Sequence, residues 1–334
     1  MNNRATRIGQ AMTTLWPRLR RARLATVVGA TCLLVFLLAA TLGPLLAPHS
    51  PQAHNLDQVL APPSRAHLFG TDENGTDLLS MLLHGARVAL AIAAPTVVMC
   101  FVIGTTLGAV AGTKGGWLDE ALMRVVDVLL SFPGILLNLA IVALVKRPSV
   151  GFIVFALAIN GWVGYARVAR GQALAVRERE YVQAARAAGA GFFWIVRRHV
   201  VPSILGPLVV HATFGFGSVI LVEASLSFLG LGPAVPYTWG ALLAQGTTYL
   251  WRSATLAAVP CAAIAIVVLG CNLVGDALRD QLDPKASVTA QPPRTHAEDA
   301  ACASPHSHFS LSRSLPSSLR PRSSRPAQGR SRGS

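Results

Sequence analysis

Two ionisable residues, His211 and Glu223, lie inside a long apolar stretch of the sequence. Ionisable side chains at membrane depth are energetically costly, and they commonly mark the route of a polar solute or a proton. Each residue also has a simpler interpretation. Glu223 can lie near a membrane surface and hydrogen-bond the following loop, and His211 can be a satisfied group between helices. We therefore consider both residues as candidates for a transport pathway.

A second group of polar residues, at positions 72–77, has the composition of a calcium-binding loop. Asp72, Glu73, Asn74 and Asp77 surround Gly75. An EF-hand loop needs ligands at every second position and a glutamate near its twelfth position, and this string does not meet the pattern. The five cysteines are scattered and mostly lie in apolar segments, which favours neither disulfides nor a zinc site. The sequence therefore predicts no metal site and no cofactor.

Catalytic chemistry is not predicted either. The sequence contains no phosphate-binding loop of the form Gly-x4-Gly-Lys-[Ser/Thr], so this chain cannot supply an ATP site. Ser225, Ser227 and the histidines are dispersed through apolar or loop segments, and no nucleophile is arranged with a base. The chain is expected to be a non-enzymatic protein.

One polar and basic stretch, Glu180–Pro202, lies between long apolar segments. Its first half is rich in helix-forming residues, and Gly189 and Gly191 then favour the end of a helix and a turn. A second short helix is predicted over about 192–200, before the proline. One face of the first helix carries a single ring and otherwise methyl groups: Tyr181, Ala184, Ala185 and Ala188. Such a face permits close approach by another surface, and charged residues at its rim can pair around it: Glu180, Arg186, Arg197 and Arg198.

The composition of the whole chain is that of a membrane protein. Its 334 residues are 52% hydrophobic and only 13% charged, with a mean hydropathy of +0.49, whereas soluble domains carry about 25% charged residues. The net charge of +14 is concentrated in the first 24 residues, near the 180–202 stretch and in the C-terminal tail. This distribution is typical of the cytoplasmic faces of a membrane protein rather than of a nucleic-acid-binding surface.

The apolar segments predict an all-α transmembrane helical bundle of about six spans. Their approximate ranges are 24–47, 88–112, a third that ends near 145, 150–166, 205–229 and 254–273. Gly104, Gly108 and Gly112 form a small-residue stripe in the second span, which suits close helix packing. Pro133 is expected to kink the third span, and Asp127 can pair with Arg124 one turn earlier.

The predicted transmembrane region, residues 25–285, is flanked by two polar segments. Residues 1–24 form a basic leader, and a retained anchor is preferred to a cleaved signal peptide because the apolar run is long and lacks a clear cleavage site. Residues 286–334 are rich in Ser, Pro and Arg and poor in apolar residues. Such a segment cannot bury enough surface to order itself, so a disordered tail is predicted.

Several strings in the sequence resemble one family of transport proteins. Glu180, Ala184, Ala185 and Gly189, followed by IVRRHVVP, resemble the coupling loop of permease subunits in bacterial ABC importers. Further strings resemble the dipeptide/oligopeptide/nickel branch of that family: HLFGTDENGTDLLSMLLHGAR, MRVVDVLLSFPG, EASLSFLGLGPAVPYTWG and NLVGDALRDQLDPK. Thr76 and Met81 depart from the branch, which usually has arginine there, and this puts in doubt any salt bridge that those arginines would make.

The resemblance implies that residues 178–202 are a cytoplasmic loop that docks on an ATPase subunit. The residues implied in this coupling are Glu180, Tyr181, Ala184, Ala185, Arg186, Gly189, Ile195, His199 and Pro202. It also implies an assembly with a second homologous permease, two ATP-binding subunits and an external solute-binding protein. ATP would be bound by those partner subunits.

The expected location is the cell inner membrane, in contact with lipid and with both termini in the cytoplasm, and no nucleic acid is an expected partner. Peptides are the expected substrate, and nickel or another small solute is the alternative. Two other functional classes fit the sequence less well. An ion-driven secondary transporter needs charged sites near the membrane midplane and an inverted repeat. His211 and Glu223 are the candidates for such sites, and no convincing repeat is present. An intramembrane enzyme needs paired catalytic groups, which the sequence does not offer.

Overall fold

The regular structure of this protein is helical throughout the part of the chain that can be described. The computed structural model describes residues 3–235 and 237–282, with side chains from residue 24 onwards. Within these ranges the one strand-like feature is an isolated pairing of Thr71 with Asp77. The predicted all-α fold is confirmed, whereas the predicted tail, residues 286–334, lies outside the described residues.

The described part of the chain contains ten α-helices in succession. They are α1 (Asn3–Leu46), α2 (Leu78–Lys114), α3 (Gly116–Ser131), α4 (Gly134–Ala143), α5 (Val150–Arg177), α6 (Glu180–Ala187), α7 (Phe192–Ile195), α8 (Val201–Phe228), α9 (Trp239–Thr248) and α10 (Thr255–Leu282). A 3-10 turn at Leu56–Gln58 lies between α1 and α2, and a π-helical segment at Val196–Val200 lies between α7 and α8.

Among the residues that the structure describes, five helical segments are long and apolar enough to cross a membrane: 24–46, 78–114, 150–177, 192–228 and 255–282. The α3–α4 pair bends by 83° and counts as a sixth when it is taken as one broken span. Pro133 lies at the break, and Phe132 before it is extended, because proline disfavours the helical conformation in the preceding residue. The predicted kink at Pro133 is therefore confirmed.

Helices α2 and α5 pack in parallel at close range. Three glycines of α2 each face a backbone carbonyl of α5: Gly104 opposite Trp162, Gly108 opposite Ala166, and Gly112 opposite Arg170. A Cβ atom placed on Gly108 would lie only 2.3 Å from the Ala166 oxygen. The predicted small-residue stripe is thus confirmed, and it lets the two backbones come into direct contact.

The remaining spans define two ends of the bundle. The start of α2 lies beside the end of α1, since Gly43 faces Leu83, and α10 runs antiparallel to α1, since Gly29 faces Leu273. The beginning of the apolar part of α1 and the end of α10 therefore lie at the same end as the ends of α2 and α5. We term this the hairpin end, because α6 and α7 follow α5 there, and we term the opposite end, with residues 47–77, the loop end.

Several helix boundaries differ from the prediction. Helix α2 begins at Leu78 rather than near residue 88, because Asp77 caps it by accepting the Ser80 N–H at 2.9 Å. Helix α5 continues beyond residue 166 to Arg177. The short helix expected to end before Pro202 instead runs on into α8. Helix α9 was not predicted.

Two ion pairs join α3 to α5. The Arg170 guanidinium contacts both carboxylate oxygens of Asp119, with Nη2 at 2.7 Å from Oδ2, and this pair is partly buried. Arg167 Nη2 lies 3.0 Å from Asp127 Oδ1, and both side chains are exposed. The predicted pairing of Asp127 with Arg124 was therefore wrong, because the carboxylate reaches across to the neighbouring helix. The two-pronged Arg170 contact is the stronger one, since exposed ion pairs add little stability.

Candidate functional site

The 180–202 stretch folds as two short helices around a tight turn at Gly189. The Gly189 backbone has φ of +87°, a conformation that favours glycine. Its N–H donates to the Arg186 oxygen at 3.0 Å, and the Ala190 N–H donates to the Ala185 oxygen at 3.0 Å. This pair of bonds is the Schellman motif that closes a helix. The predicted turn is therefore present, and Gly189 sets the point where α6 stops.

A small apolar cluster holds this hairpin against the bundle. Val182 of α6 and Ile195 of α7 are buried, and they belong to a cluster with Val176 at the end of α5 and Val200 before α8. Burying side chains of this size contributes about 1.5–3 kcal/mol each. The hairpin is therefore fixed to α5 and α8 as a rigid unit.

The opposite face of the hairpin is open to solvent. All four residues of the predicted small-residue face are exposed or partly exposed: Tyr181, Ala184, Ala185 and Ala188. Two aromatic side chains of α7 enlarge this surface, with Phe193 80% exposed and Trp194 52% exposed. These six residues are termed the hairpin surface. Large exposed rings beside a methyl-lined face are typical of a protein-contact surface.

The side chain of His199 links the two short helices behind the hairpin surface. Its ring centroid lies 5.6 Å from that of Tyr181 and 5.0 Å from that of Trp194. Its backbone oxygen accepts the Ser203 hydroxyl at 2.7 Å. Within the described ranges, the buried Nε2 atom of this histidine has no hydrogen-bond partner. His199 therefore acts here as a packing residue that positions two exposed aromatic rings.

A widened helical segment carries the chain from α7 into α8 without a break. Residues Val196–Val200 are π-helical, and the Val201 N–H bonds to the Val196 oxygen. Pro202 lies in the first turn of α8. It has no N–H, and its ring would crowd the carbonyl four residues earlier in a regular helix. The wider turn accommodates the proline, so α7 and α8 form one continuous rod that leads from the hairpin into the bundle.

The charges around the hairpin surface are arranged differently from the prediction. Four exposed residues were expected to pair with one another, and none of them forms an ion pair in the described part of the chain: Glu180, Arg186, Arg197 and Arg198. The carboxylate of Glu178 pairs instead with its neighbour Arg177 at 2.9 Å. Three of the four free charges are positive, so the rim of the hairpin surface suits a partner with acidic groups.

His211 and Glu223 both lie on α8, but in different surroundings. The His211 ring packs edge-on against Tyr165, with centroids 4.6 Å apart, and it lines a cavity of about 330 Å³ between α2, α5 and α8. Glu223 is only 2% exposed, and its Oε1 atom accepts the Ser227 hydroxyl at 2.7 Å one turn further along the helix. Glu223 does not line the cavity of His211. The structure thus does not bring the two pathway candidates together.

The acid-rich string at the loop end organises a turn. Asp72 Oδ1 accepts the backbone N–H groups of Asn74 at 2.9 Å and Thr76 at 2.7 Å. Side chains with metal-ligating atoms do come together nearby, but they are a different set: His49, His67 and Asp77. This cluster lies at the end of the bundle opposite the hairpin surface.

Sequence reasoning missed several residues that build the hairpin region. Phe193 and Trp194 directly follow a glycine turn, which was a usable signal for exposed anchors. Arg170 and Asp119 are 51 positions apart, and no local pattern links them. Arg177 donates to the Gly112 oxygen at 3.3 Å and thereby joins the end of α5 to the end of α2.

The bundle of long apolar helices, with an exposed hairpin at one end, defines the class as a multi-pass membrane protein. Residues 104–288 match the family described as the binding-protein-dependent transport system inner membrane component. Residues 12–63 match the N-terminal TM domain of oligopeptide transport permease C. The chain belongs to the family of binding-protein-dependent transport system inner membrane components, as the resemblance of its sequence strings predicted.

Individual relatives agree with this assignment. A probable D,D-dipeptide transport system permease protein of Escherichia coli (strain K12) is 42% identical over 262 residues, which are 78% of this chain and 88% of that protein. A dipeptide transport system permease protein of Bacillus subtilis (strain 168) is 37% identical over 276 residues, 81% of this chain and 84% of that one.

A glutathione transport system permease protein of Pectobacterium atrosepticum is 38% identical over 271 residues, 81% of this chain and 90% of that one. Among solved structures, inward-facing conformations of the MetNI methionine ABC transporter match with a TM-score of 0.49 and 23% identity, over 61% of this chain and 97% of that one.

Proposed function

We propose that this chain is a permease subunit of an ATP-driven ABC importer, and that its hairpin surface is the docking site of an ATPase subunit. The observation that carries the proposal is the construction of the hairpin. A methyl-lined, aromatic-flanked surface is exposed on one side, and on the other side it is packed onto α5 and continuous with α8. The membership of the family supports the transport role.

The geometry provides a route from the docking site to the membrane helices. The cluster around Val182 and Ile195 makes the hairpin move as one body with the start of α8. The α2–α5 pair is held together by its glycine contacts, so a push on the hairpin surface is expected to tilt α8 against that pair. In this proposal the hairpin is an element with two positions, and nucleotide in the partner subunit selects between them. This chain itself binds no ATP.

The proposed orientation places the hairpin end and both termini in the cytoplasm. Basic residues are enriched on the cytoplasmic side of membrane spans, and a group of arginines lies along or beside the hairpin end: Arg167, Arg170, Arg177, Arg179, Arg186, Arg197 and Arg198. The described start of α1 and the end of α10 lie at the same end. The loop end then faces outward, toward an external solute-binding protein.

Small peptides are the proposed substrate. The relatives are named for D,D-dipeptides, dipeptides and glutathione, all of which are small peptides, and this favours peptides over the nickel alternative. The proposed assembly contains this chain, a second homologous permease, two ATP-binding subunits and the solute-binding protein. His211, beside its cavity, stays a candidate for the pathway, whereas Glu223 is satisfied within its own helix.

A pair of alanine variants tests the docking proposal. Ala184→Arg places a long charged side chain on the hairpin surface, and Ala175→Arg makes the same change at an exposed alanine near the end of α5. An unpaired charge buried in an interface is strongly destabilising, by about 3–5 kcal/mol. Ala184→Arg is therefore expected to abolish co-purification of the ATPase subunits and ATP-driven uptake of a labelled dipeptide, whereas Ala175→Arg retains both.

Retention of the ATPase by Ala184→Arg, at membrane levels equal to those of the unchanged chain, would refute the docking site. Dipeptide uptake that persists after ATP depletion and collapses with the ion gradient would instead identify a secondary transporter.

A further inference from the structure

Three side chains with metal-ligating atoms converge at the loop end, where the chain enters α2. His49, His67 and Asp77 each offer one ligand atom, and these atoms lie within 4.8 Å of one another. The His67 Nδ1 atom is 3.0 Å from Asp77 Oδ1, and the two imidazole rings have centroids 4.9 Å apart. His49 is exposed, whereas Asp77 is buried and His67 largely so. The cluster thus has two fixed members and one member that faces solvent.

His67 has an oxygen atom within hydrogen-bonding distance of each ring nitrogen. Its Nε2 atom lies 2.8 Å from Gln58 Oε1, which is an acceptor. A neutral imidazole has a single N–H, so it donates to either Gln58 or Asp77 and not to both. In the tautomer that donates to Gln58, Nδ1 directs a lone pair at Asp77 Oδ1. A metal ion bound between these two atoms gives both of them a partner.

The surrounding residues hold the cluster in place. Asp77 Oδ2 accepts both the N–H of Ser80 at 2.9 Å and its hydroxyl at 2.7 Å, which leaves Oδ1 directed at His67. The same hydroxyl oxygen accepts the backbone N–H of His49 at 3.1 Å. The Ser80 side chain therefore holds both Asp77 and the backbone of His49 at the cluster.

We propose that His49, His67 and Asp77 form a binding site for a first-row divalent transition metal, with Zn²⁺ as the representative ion. Zinc takes nitrogen and carboxylate ligands at about 2.0–2.2 Å in a tetrahedron, whose edges are about 3.3 Å. The separation of 3.0 Å between His67 and Asp77 is close to such an edge, and rotation of the exposed His49 side chain closes the third position. Two nitrogen ligands disfavour Ca²⁺ and Mg²⁺, which prefer oxygen.

Gln58 does not bind the proposed ion itself but holds the imidazole of His67, which does. Metal-ligating histidines almost always donate their other ring N–H to an acceptor, which fixes the tautomer, and Gln58 Oε1 is that acceptor for His67. The bound ion would tie the segment after α1 to the start of α2, so its role is a structural clamp on the loop end. The proposal is independent of the proposed transport function. It also differs from the expectation of no metal site, since the three ligands are spread from position 49 to position 77.

The test is zinc binding by the full-length chain, purified without a histidine tag, stripped of metal with a chelator and titrated with Zn²⁺ against a chromophoric competitor. The unchanged chain is expected to bind one Zn²⁺ more than the His49→Ala/His67→Ala double variant.

Three single variants refine the test. Asp77→Asn keeps a good helix cap and should weaken zinc binding at least about tenfold. Gln58→Leu removes the acceptor of the His67 N–H and should weaken zinc binding by about 10–100-fold. His54→Ala, an exposed histidine of the same loop outside the cluster, should bind normally.

A second measurement reports the clamp directly. Zn²⁺ is expected to raise the thermal unfolding midpoint of the unchanged chain and of His54→Ala, but not that of His49→Ala. Equal zinc stoichiometry in the unchanged chain and in the double variant would overturn the proposal, because the ion would then be held by other histidines such as those at positions 296, 306 and 308. Loss of binding in His54→Ala as large as in His49→Ala would also overturn it.

Discussion

Replacement of Gly189 by valine isolates the contribution of backbone conformation to the hairpin. Gly189 has φ of +87°, and a Cβ atom placed on it meets no heavy atom within 4 Å. No steric clash with neighbours contributes, so the whole effect comes from the left-handed conformation. That conformation costs an ordinary L-residue about 1–2 kcal/mol, and it is especially unfavourable for a β-branched residue. Since about 1.4 kcal/mol corresponds to a factor of ten, the ratio of the native turn to competing turns should fall about 5- to 30-fold.

The assay is ATP-driven uptake of a labelled dipeptide by the assembled transporter, normalised to the amount of chain in the membrane, together with ATP hydrolysis by the same preparation. Gly189→Val is expected to reduce uptake about tenfold and to lower the amount of solute moved per ATP. Gly189→Asn should lose much less, because asparagine tolerates the left-handed region.

Gly191→Val is the matched control. Gly191 is also open to solvent, with nothing within 4 Å of an added Cβ, but its φ of −68° and ψ of 155° are ordinary for valine. This variant should keep uptake within about twofold of the unchanged chain. Wild-type uptake by Gly189→Val would refute the claim that the Schellman turn must be rigid. An equal loss in both variants would refute the conformational reasoning, because added volume at the surface would then be the cause.

Two further predictions concern the scaffold that supports the hairpin. Gly108→Ala would place a methyl group 2.3 Å from the Ala166 oxygen and should destabilise the chain by about 1–3 kcal/mol. Gly171→Ala on α5, where the added atom meets nothing, should instead stabilise the chain by about 0.5–1 kcal/mol. Thermal unfolding in detergent measures both variants, and a lower midpoint for Gly171→Ala than for Gly108→Ala would contradict the close packing of α2 against α5. Asp119→Asn removes the charge of a partly buried two-pronged pair and should cost about 1.5–3 kcal/mol. Asp127→Asn removes the charge of an exposed pair and should cost less than about 1 kcal/mol. Unfolding midpoints at low and high salt compare the two variants, and an equal loss of stability in both would contradict the assignment of the stronger pair.

The correct predictions from the sequence concern features that a few neighbouring residues encode. Gly189 predicted a helix stop because few other residues adopt a positive φ, and the structure has that turn. The glycines at positions 104, 108 and 112 predicted close packing because their spacing puts them on one helix face. Pro133 predicted a break because a proline ring acts on the residue just before it.

The wrong or missing predictions concern partners that lie far away along the chain. Asp127 was paired with Arg124 on local spacing, but it reaches Arg167 on α5. Pro202 was expected to end a helix, yet a π-helical segment before it lets the helix continue. Whether a proline stops a helix or is accommodated in it depends on how firmly the flanking residues are packed. The local sequence does not determine this packing.

The sequence by itself determined that this is an all-helical membrane protein, because apolar run length and the positions of glycine and proline act locally. Its family, the binding-protein-dependent permeases, followed from the resemblance of the Glu180–Pro202 string and of the other strings. The tertiary structure decided which charges meet, which aromatic rings are exposed, and that α7 and α8 form one rod. It also decided that His49, His67 and Asp77 share one site. These outcomes depend on the rotation and register of each helix against its neighbours, which are set only when all the apolar faces pack together.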